Sequence, residues 1–261
     1  LTLPAAMASA QPVTGPYVGI GAGANWVNNP EKWDIEGSRQ GNFGLPPGVT
    51  VSNAGKANFD LGWTGVVNAG WGFGNGLRAE VEGNFRSNEV DSIRGFGLAP
   101  VARTGGFQYQ YGAMANVLYD FDPSFLGLGP SFVQPYIGAG AGYAWTEFRN
   151  LRGVSGAAGL PAGTQIFSDD VDGGFAFQGI AGLAVPFTWA GVPGLSLTAE
   201  YRFFGVLGTE PDVSVRNAGN QTISSGKLDI DKYNHSVLLG VRYALFQPAP
   251  APAPVAAPVQ P

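Results

Sequence analysis

The sequence predicts an all-β fold: an eight-stranded antiparallel up-and-down transmembrane β-barrel with four long extracellular loops and short periplasmic turns. Three observations point there. The first is strict alternation over long stretches. In 59–73, Phe59, Leu61, Trp63, Val67, Ala69, Trp71 and Phe73 share one parity, while Asp60, Gly62, Thr64, Asn68, Gly70 and Gly72 share the other. Successive strand side chains point to opposite faces, so one face is greasy and the other glycine, amide and charge. The second is the spacing of such stretches, whose connections run long, short, long, short, long, short, long. The third is composition. Charged residues make up 13% of the 261 residues, against about a quarter in soluble domains, yet mean hydropathy is only +0.04. Apolar residues must therefore be interleaved with polar ones.

Composition also excludes classes of function. A net charge of −5 gives nucleic acid no foothold, and the absence of cysteine removes disulfides and thiolate-bound metals. The uncharged stretches 123–146 and 179–199 approach the length of a membrane helix. They contain Pro123, Pro130, Pro135, Pro186 and Pro193, and interior proline costs a helix about 3 kcal/mol. Each reads as strand, turn, strand.

In chain order, the opening 1–10 ends Ala8-Ser9-Ala10 and reads as a signal peptide remnant. The barrel is expected over 11–247. Its first strand, 17–26, sets Val18, Ile20, Ala22, Ala24 and Trp26 against Gly19, Gly21, Gly23 and Asn25. A loop over 28–58 precedes the stretch already described. After the turn Gly74-Asn75-Gly76, Leu77, Ala79, Val81 and Phe85 oppose Arg78, Glu80, Glu82, Asn84 and Arg86. A second loop, 88–106, leads to a fourth strand with Tyr109, Tyr111, Val117, Tyr119 and Phe121 outward and Gln108, Gln110, Asn116 and Asp120 inward. The fifth strand carries Ile137, Tyr143 and Trp145 outward. Loop 150–172 follows, then a sixth strand with Phe175, Phe177, Leu183 and Phe187 outward and Ile180 as an apolar exception inward. The seventh sets Leu195, Leu197, Tyr201 and Phe203 against Ser196, Thr198, Glu200 and Arg202. Loop 208–231 precedes the last strand, with Tyr233, Val237, Leu239, Val241, Tyr243 and Leu245 outward and Lys232, Asn234, Ser236, Gly240 and Arg242 inward. Residues 248–261, PAPAPAPVAAPVQP, cannot join a sheet and read as a stiff periplasmic linker, roughly 40 Å if extended at about 3.1 Å per residue.

With these pieces placed, the chain resembles the outer membrane protein A (OmpA) family of eight-stranded surface proteins. The resemblance rests on YVGIGAGANW (17–26), PYIGAGAGYAW (135–145), AEYRFFG (199–205) and LLGVRYALF (238–246) with its Pro/Ala tail. Gly240, Tyr243 and Leu245 fit the terminal assembly signal that the barrel assembly machinery reads in such proteins, although Leu238 stands where that signal usually has a polar residue. The resemblance implies integral placement in the bacterial outer membrane, both termini in the periplasm, and contact with lipid and lipopolysaccharide. It also implies a monomer whose missing C-terminal domain would hold peptidoglycan. On that reading the chain is a non-enzymatic anchor between outer membrane and cell wall.

The interior of an eight-stranded barrel is just wide enough for side chains to fill. Inward parity collects Asp60, Glu80, Glu82, Asp120 and Glu200 against Arg78, Arg86, Arg202, Lys232 and Arg242. The candidate cluster is Arg78, Glu80, Glu82, Arg86, Glu200, Arg202 and Arg242, expected to plug the lumen. The alternative is a narrow pore gated when Glu80 or Glu82 exchanges partners; a third reading is a surface barrel that binds a partner through its loops. Trp26, Trp63, Trp71, Tyr119, Trp145, Phe187 and Tyr243 are expected as interfacial girdles. A lipocalin-like inversion would overfill the lumen with this aromatic bulk.

Catalytic, metal and cofactor sites are not expected. His235, the one histidine, neighbours Ser236 in a strand, so the two point to opposite faces. The runs Gly19-x-Gly21-x-Gly23 and Gly138-x-Gly140-x-Gly142 continue as strand, whereas a nucleotide fingerprint opens a helix. Asp169, Asp170, Asp172, Asp229 and Asp231 read as a solvated acidic loop surface rather than a calcium site.

Overall fold

The computed structural model describes residues 12–28, 31–36, 45–95, 101–122, 133–155, 163–187 and 192–246. The expected signal remnant at 1–10 and the linker at 248–261 lie outside the described residues. Thirteen strands follow in order: β1 (Thr14–Val27), β2 (Glu31–Glu36), β3 (Thr50–Phe59), β4 (Gly62–Phe73), β5 (Leu77–Gly95), β6 (Val101–Asp120), β7 (Gln134–Ser155), β8 (Gln165–Ser168), β9 (Val171–Pro186), β10 (Leu195–Thr209), β11 (Asp212–Arg216), β12 (Thr222–Lys227) and β13 (Ile230–Ala244). No helix among the described residues is long and apolar enough to cross a membrane.

Eight of the thirteen strands close a ring: β1, β4, β5, β6, β7, β9, β10 and β13, each antiparallel to both neighbours. Closure can be followed residue by residue. Partners run from Tyr17 through Gly70, Glu80, Asn116, Gly140, Gln178, Phe204 and Asn234 to Val27. One circuit thus climbs β1 by 10 residues (27 − 17), the stagger that tilts the strands of a closed barrel. At the end where β1 begins and β13 ends, the turn between β4 and β5 is tight. Gly74 and Gly76 adopt φ of 79° and 91°, which suits glycine, and the Leu77 N–H donates to Asn75 Oδ1 at 3.1 Å.

The face assignment follows the alternation. Trp63 and Val67 are 55% and 56% exposed, whereas Glu82 and Arg202 are 3% and 1%. Aromatic, valine and leucine side chains cover the outer wall, and the ionisable ones fill the axis. The lipocalin-like inversion is thereby removed.

Parity fails at one junction. Phe59 belongs to β3 and is buried, whereas Asp60 and Leu61 are both exposed. Both β3 and β4 pair with β5, but Phe59 faces Val90 while Trp63 faces Ser87, with a register shift at Asn58/Phe59. The irregularity flips the alternation, as a β-bulge does. Phe59 was expected outward and Asp60 inward; each takes the opposite place.

The connections expected as loops are also more structured than expected. Strands β2, β3, β8, β11 and β12 arise within 28–58, 150–172 and 208–231, and β5, β6 and β7 run on beyond the ring. β2 pairs β3, β3 pairs β5, β7 pairs β8, β8 pairs β11 and β11 pairs β12. Together they form an extension of the wall at the end away from the termini. It encloses its own apolar core: Trp33 and Ile35 from β2, Phe59 from β3, Ile93 from β5, Phe148 and Leu151 from β7, Ile166 from β8, Val213 from β11 and Ile230 from β13. Trp33 is 0% exposed and meets Phe148 edge to face with ring centroids 6.3 Å apart.

Candidate functional site: the filled lumen

Each strand turns every second residue inward, so the contents of the lumen are set by parity and by height. Nearest the termini, Arg78 Nε donates to Asp120 Oδ1 at 3.0 Å, and Nη1 donates to the Tyr17 hydroxyl at 3.2 Å. That hydroxyl donates to Glu80 Oε2 at 2.9 Å. Asn116 Nδ2 joins Glu80 Oε1 to Glu82 Oε2, both at 3.0 Å. Arg202 then bridges two acids, with Nη1 2.5 Å from Glu82 Oε2 and Nη2 2.7 Å from Glu200 Oε2. Tyr136 donates its hydroxyl to Glu200 Oε1 at 2.6 Å. One hydrogen-bonded network therefore links residues of β1, β5, β6, β7 and β10 across the axis. In a medium shielded from water this arrangement is favourable because Glu80, Glu82 and Glu200 each have several donors. Among the described residues Asp120 is held by Arg78 alone, with its Oδ2 buried and unpartnered.

All seven residues of the expected cluster are brought into this interior, but not all pair. Arg86 lies with its guanidinium 3.7 Å over the Phe204 ring and donates Nη1 to Asn84 Oδ1 at 2.9 Å. Arg242 sits 5.9 Å from the centroid of Tyr136. Among the described residues neither has a carboxylate within ion-pair distance, and Arg86 Nε and Nη2 and Arg242 Nη1 are buried without a partner. Below Arg202 a cavity of about 20 Å³, lined by Tyr17, Asn68, Arg78, Glu80, Glu200 and Arg242, has room for about one water.

Above this network sits a layer of amides and hydroxyls. Asn25 Nδ2 donates to Asn88 Oδ1 at 2.5 Å, Ser236 Oγ to Asn25 Oδ1 at 2.7 Å and Asn234 Nδ2 to Gln110 Oε1 at 2.7 Å. Lys232 closes the layer, 3.4 Å from Glu31 Oε1, which also accepts Trp33 Nε1 at 2.9 Å. Glu31 is the residue the sequence reading missed. It takes the acidic place assigned to Asp60, and its signal was the alternation Glu31, Trp33, Ile35 inside a stretch read as loop. The apolar core of the extension lies beyond.

The glycine runs are explained by this crowding. A Cβ on Gly23 would fall 1.9 Å from the Val237 carbonyl oxygen, and one on Gly140 would fall 1.8 Å from Asn116 Oδ1. On the outer wall, Trp71, Tyr119 and Tyr243 are exposed near the terminal end, with Phe187 half-buried there; Trp63 and Trp145 are exposed toward the extension, with Trp26 half-buried. His235 stacks on Trp26 and lies 2.7 Å from the Tyr201 hydroxyl through Nδ1, while Ser236 faces inward. Gly240 faces the interior, Tyr243 and Leu245 face outward, and Leu238 is buried. In the loop region Asp170 Oδ2 accepts from the Asp212 N–H at 2.8 Å, and Asp172 accepts from the Glu210 N–H. These carboxylates hold backbone, and no metal-binding group of His, Cys, Asp and Glu occurs among the described residues.

Comparison with known proteins agrees with this architecture. A relative described as "Outer membrane protein" from Gluconacetobacter diazotrophicus is 36% identical over 254 residues, covering 93% of this chain and 60% of the relative. The chain thus spans less than two thirds of that protein's length. Among solved structures, the outer membrane protein OprG from Pseudomonas aeruginosa matches with a TM-score of 0.50 at 14% identity, over 89% of this chain and 98% of that one. Neisserial surface protein A (NspA) matches with a TM-score of 0.46 at 17% identity, over 89% and 99%. At such identities the likeness concerns the fold alone. The family model for the outer membrane protein beta-barrel domain matches residues 1–204, and the chain, an antiparallel barrel with its charges on the axis, belongs to that family.

Proposed function

We propose that the chain is a closed, non-conducting barrel that anchors an envelope tether in the outer membrane, with the wall extension outside the cell and both termini in the periplasm. The observation that carries this reading is the filled axis. A cross-braced ionic network is followed by an amide layer and then by an apolar core. The Pro/Ala-rich composition of 248–261 suits a spacer toward the cell wall, and the relative extends well beyond the matched length. Peptidoglycan, lipopolysaccharide and the assembly machinery are the partners this role requires. Gly240, Tyr243 and Leu245 are the residues assigned to the assembly signal.

A narrow pore is the competing reading. It draws on Arg86 and Arg242, two cations with no carboxylate at ion-pair distance among the described residues, to which Glu82 or Glu80 could turn. Such an exchange would open only the ionic layer and leave the apolar core in place. Single-channel recording separates the two. The anchor reading expects no conductance from the wild type, Glu82→Ala or Arg202→Ala; discrete openings in the wild type would overturn it. For the tether, the full-length gene product should sediment with purified peptidoglycan while residues 1–261 remain in the supernatant.

A further inference from the structure

The extension carries a feature that neither the barrel nor the tether uses. On β2, β3 and β5, Lys32 is the register partner of Lys56, and Lys56 is the register partner of Arg94. Directly opposed residues of antiparallel strands project from the same face, with Cβ atoms about 4.5–5.5 Å apart. All three are exposed, while their chain neighbours Glu31, Trp33, Gly55, Ala57 and Ile93 are buried. Three cations therefore form one row across three adjacent strands on the outer surface.

Lys32 shares a surface pocket with Asp34 and Asp229. None of the three makes an ion pair among the described residues. Asp34, two residues from Lys32, turns its Oδ1 to the Asn53 N–H at 2.6 Å instead. The next cross-strand pair toward the barrel, Asn58 and Ser92, is uncharged, with Asn58 Nδ2 donating to Ser92 Oγ at 2.9 Å. Like charges directly opposite each other destabilise a sheet, and here the conflict occurs twice in succession. Chance is a poor source for it, because the chain has only 14 Lys and Arg in 261 residues and is net negative.

We infer that this row binds a polyanion bearing phosphate groups a few ångströms apart. Lysine supplies point charge and arginine a planar fork suited to phosphate oxygens, and the rigid sheet fixes the spacing before the ligand arrives. The same chemistry occurs in the phosphorylated core of lipopolysaccharide and in soluble polyphosphates, so the source is left to experiment. The inference needs only the exposed face of the sheet and is independent of the tether.

The test uses the whole chain in detergent micelles, titrated calorimetrically with inorganic tripolyphosphate at low and high salt. Saturable, salt-sensitive binding is expected. Lys56→Gln, at the centre of the row, should weaken it at least tenfold, and Arg152→Gln, a cation elsewhere on the extension, should leave it unchanged. Folding is controlled by thermal midpoint, which Lys56→Gln should hold or raise because it removes the repulsion. Wild-type affinity in Lys56→Gln, an equal loss in Arg152→Gln, or no binding at all would overturn the inference. A second arm compares nanodiscs containing lipopolysaccharide with and without core phosphates. Lys56-dependent retention of the phosphorylated lipid assigns the site to the membrane's own saccharide; tripolyphosphate binding without that preference assigns it to a soluble ligand.

Discussion

Single residues carry the strongest constraints in the lumen. Arg202 is 1% exposed and braces Glu82 and Glu200 at once. Truncating it leaves buried Glu82 and part-buried Glu200 short of a cation, at about 3–5 kcal/mol. Arg202→Ala should therefore lower the unfolding free energy, read from urea titration of the refolded barrel in lipid vesicles, by an amount of that order. Glu31 and Asp60 give a sharper contrast. Glu31→Gln removes the charge of one ion-pair partner of buried Lys232 and should destabilise, whereas Asp60→Asn alters an exposed group and should change the unfolding free energy by less than about 0.5 kcal/mol. Equal effects would contradict the assignment of Glu31 to the axis. At Gly23 the obstacle is backbone, since the added methyl would meet the Val237 carbonyl, which no rotamer change relieves. Gly23→Ala should reduce the folded yield more than Gly65→Ala, whose Cβ finds its nearest atom at 3.6 Å. Most lumen residues were legible because parity alone places them. Asp60 was not, because a single bulge reverses parity and leaves no mark in the letters.

Elements differ in how plainly they were written. The ring strands are long and pair with near neighbours, so their alternation repeats often enough to be read. β2, β8, β11 and β12 are four to six residues long and sit among glycine, asparagine and proline. β8 reaches β11 across more than forty residues of sequence. Strands that short gain their stability from a shared core rather than from propensity, and the core exists only once all of them are assembled. The alternation Trp33 and Ile35 against Lys32, Asp34 and Glu36 was nonetheless present in the sequence. Trp33→Ala should remove about 3–5 kcal/mol from the extension. Hydrogen exchange should then rise in β2, β3, β8 and β11 while the ring amides stay protected; uniform loss of protection would show that ring and extension unfold as one unit.

At the scale of the molecule, ring closure leaves β1 and β13 paired with each other and no free edge within the eight strands. A wall without an edge offers detergent no strand to peel. The unheated protein should run faster than the boiled one on a dodecyl sulfate gel, and a deletion of β13 should abolish the difference. Orientation is tested at the same scale. A tag placed after Ala244 should become accessible to protease only when the outer membrane is permeabilised, whereas one inserted at Asn217–Gln221 should be accessible on intact cells.

The hydrogen-bonded extension has an immunological consequence. Residues that lie side by side on its face, such as Lys32, Lys56 and Arg94, come from widely separated parts of the chain. With the extension outside the cell, as proposed, an antibody raised on intact cells would recognise a conformational epitope assembled from several strands. Linear peptides spanning 31–36 or 212–227 should not compete for it, and immunisation with the denatured chain should yield sera blind to the living bacterium.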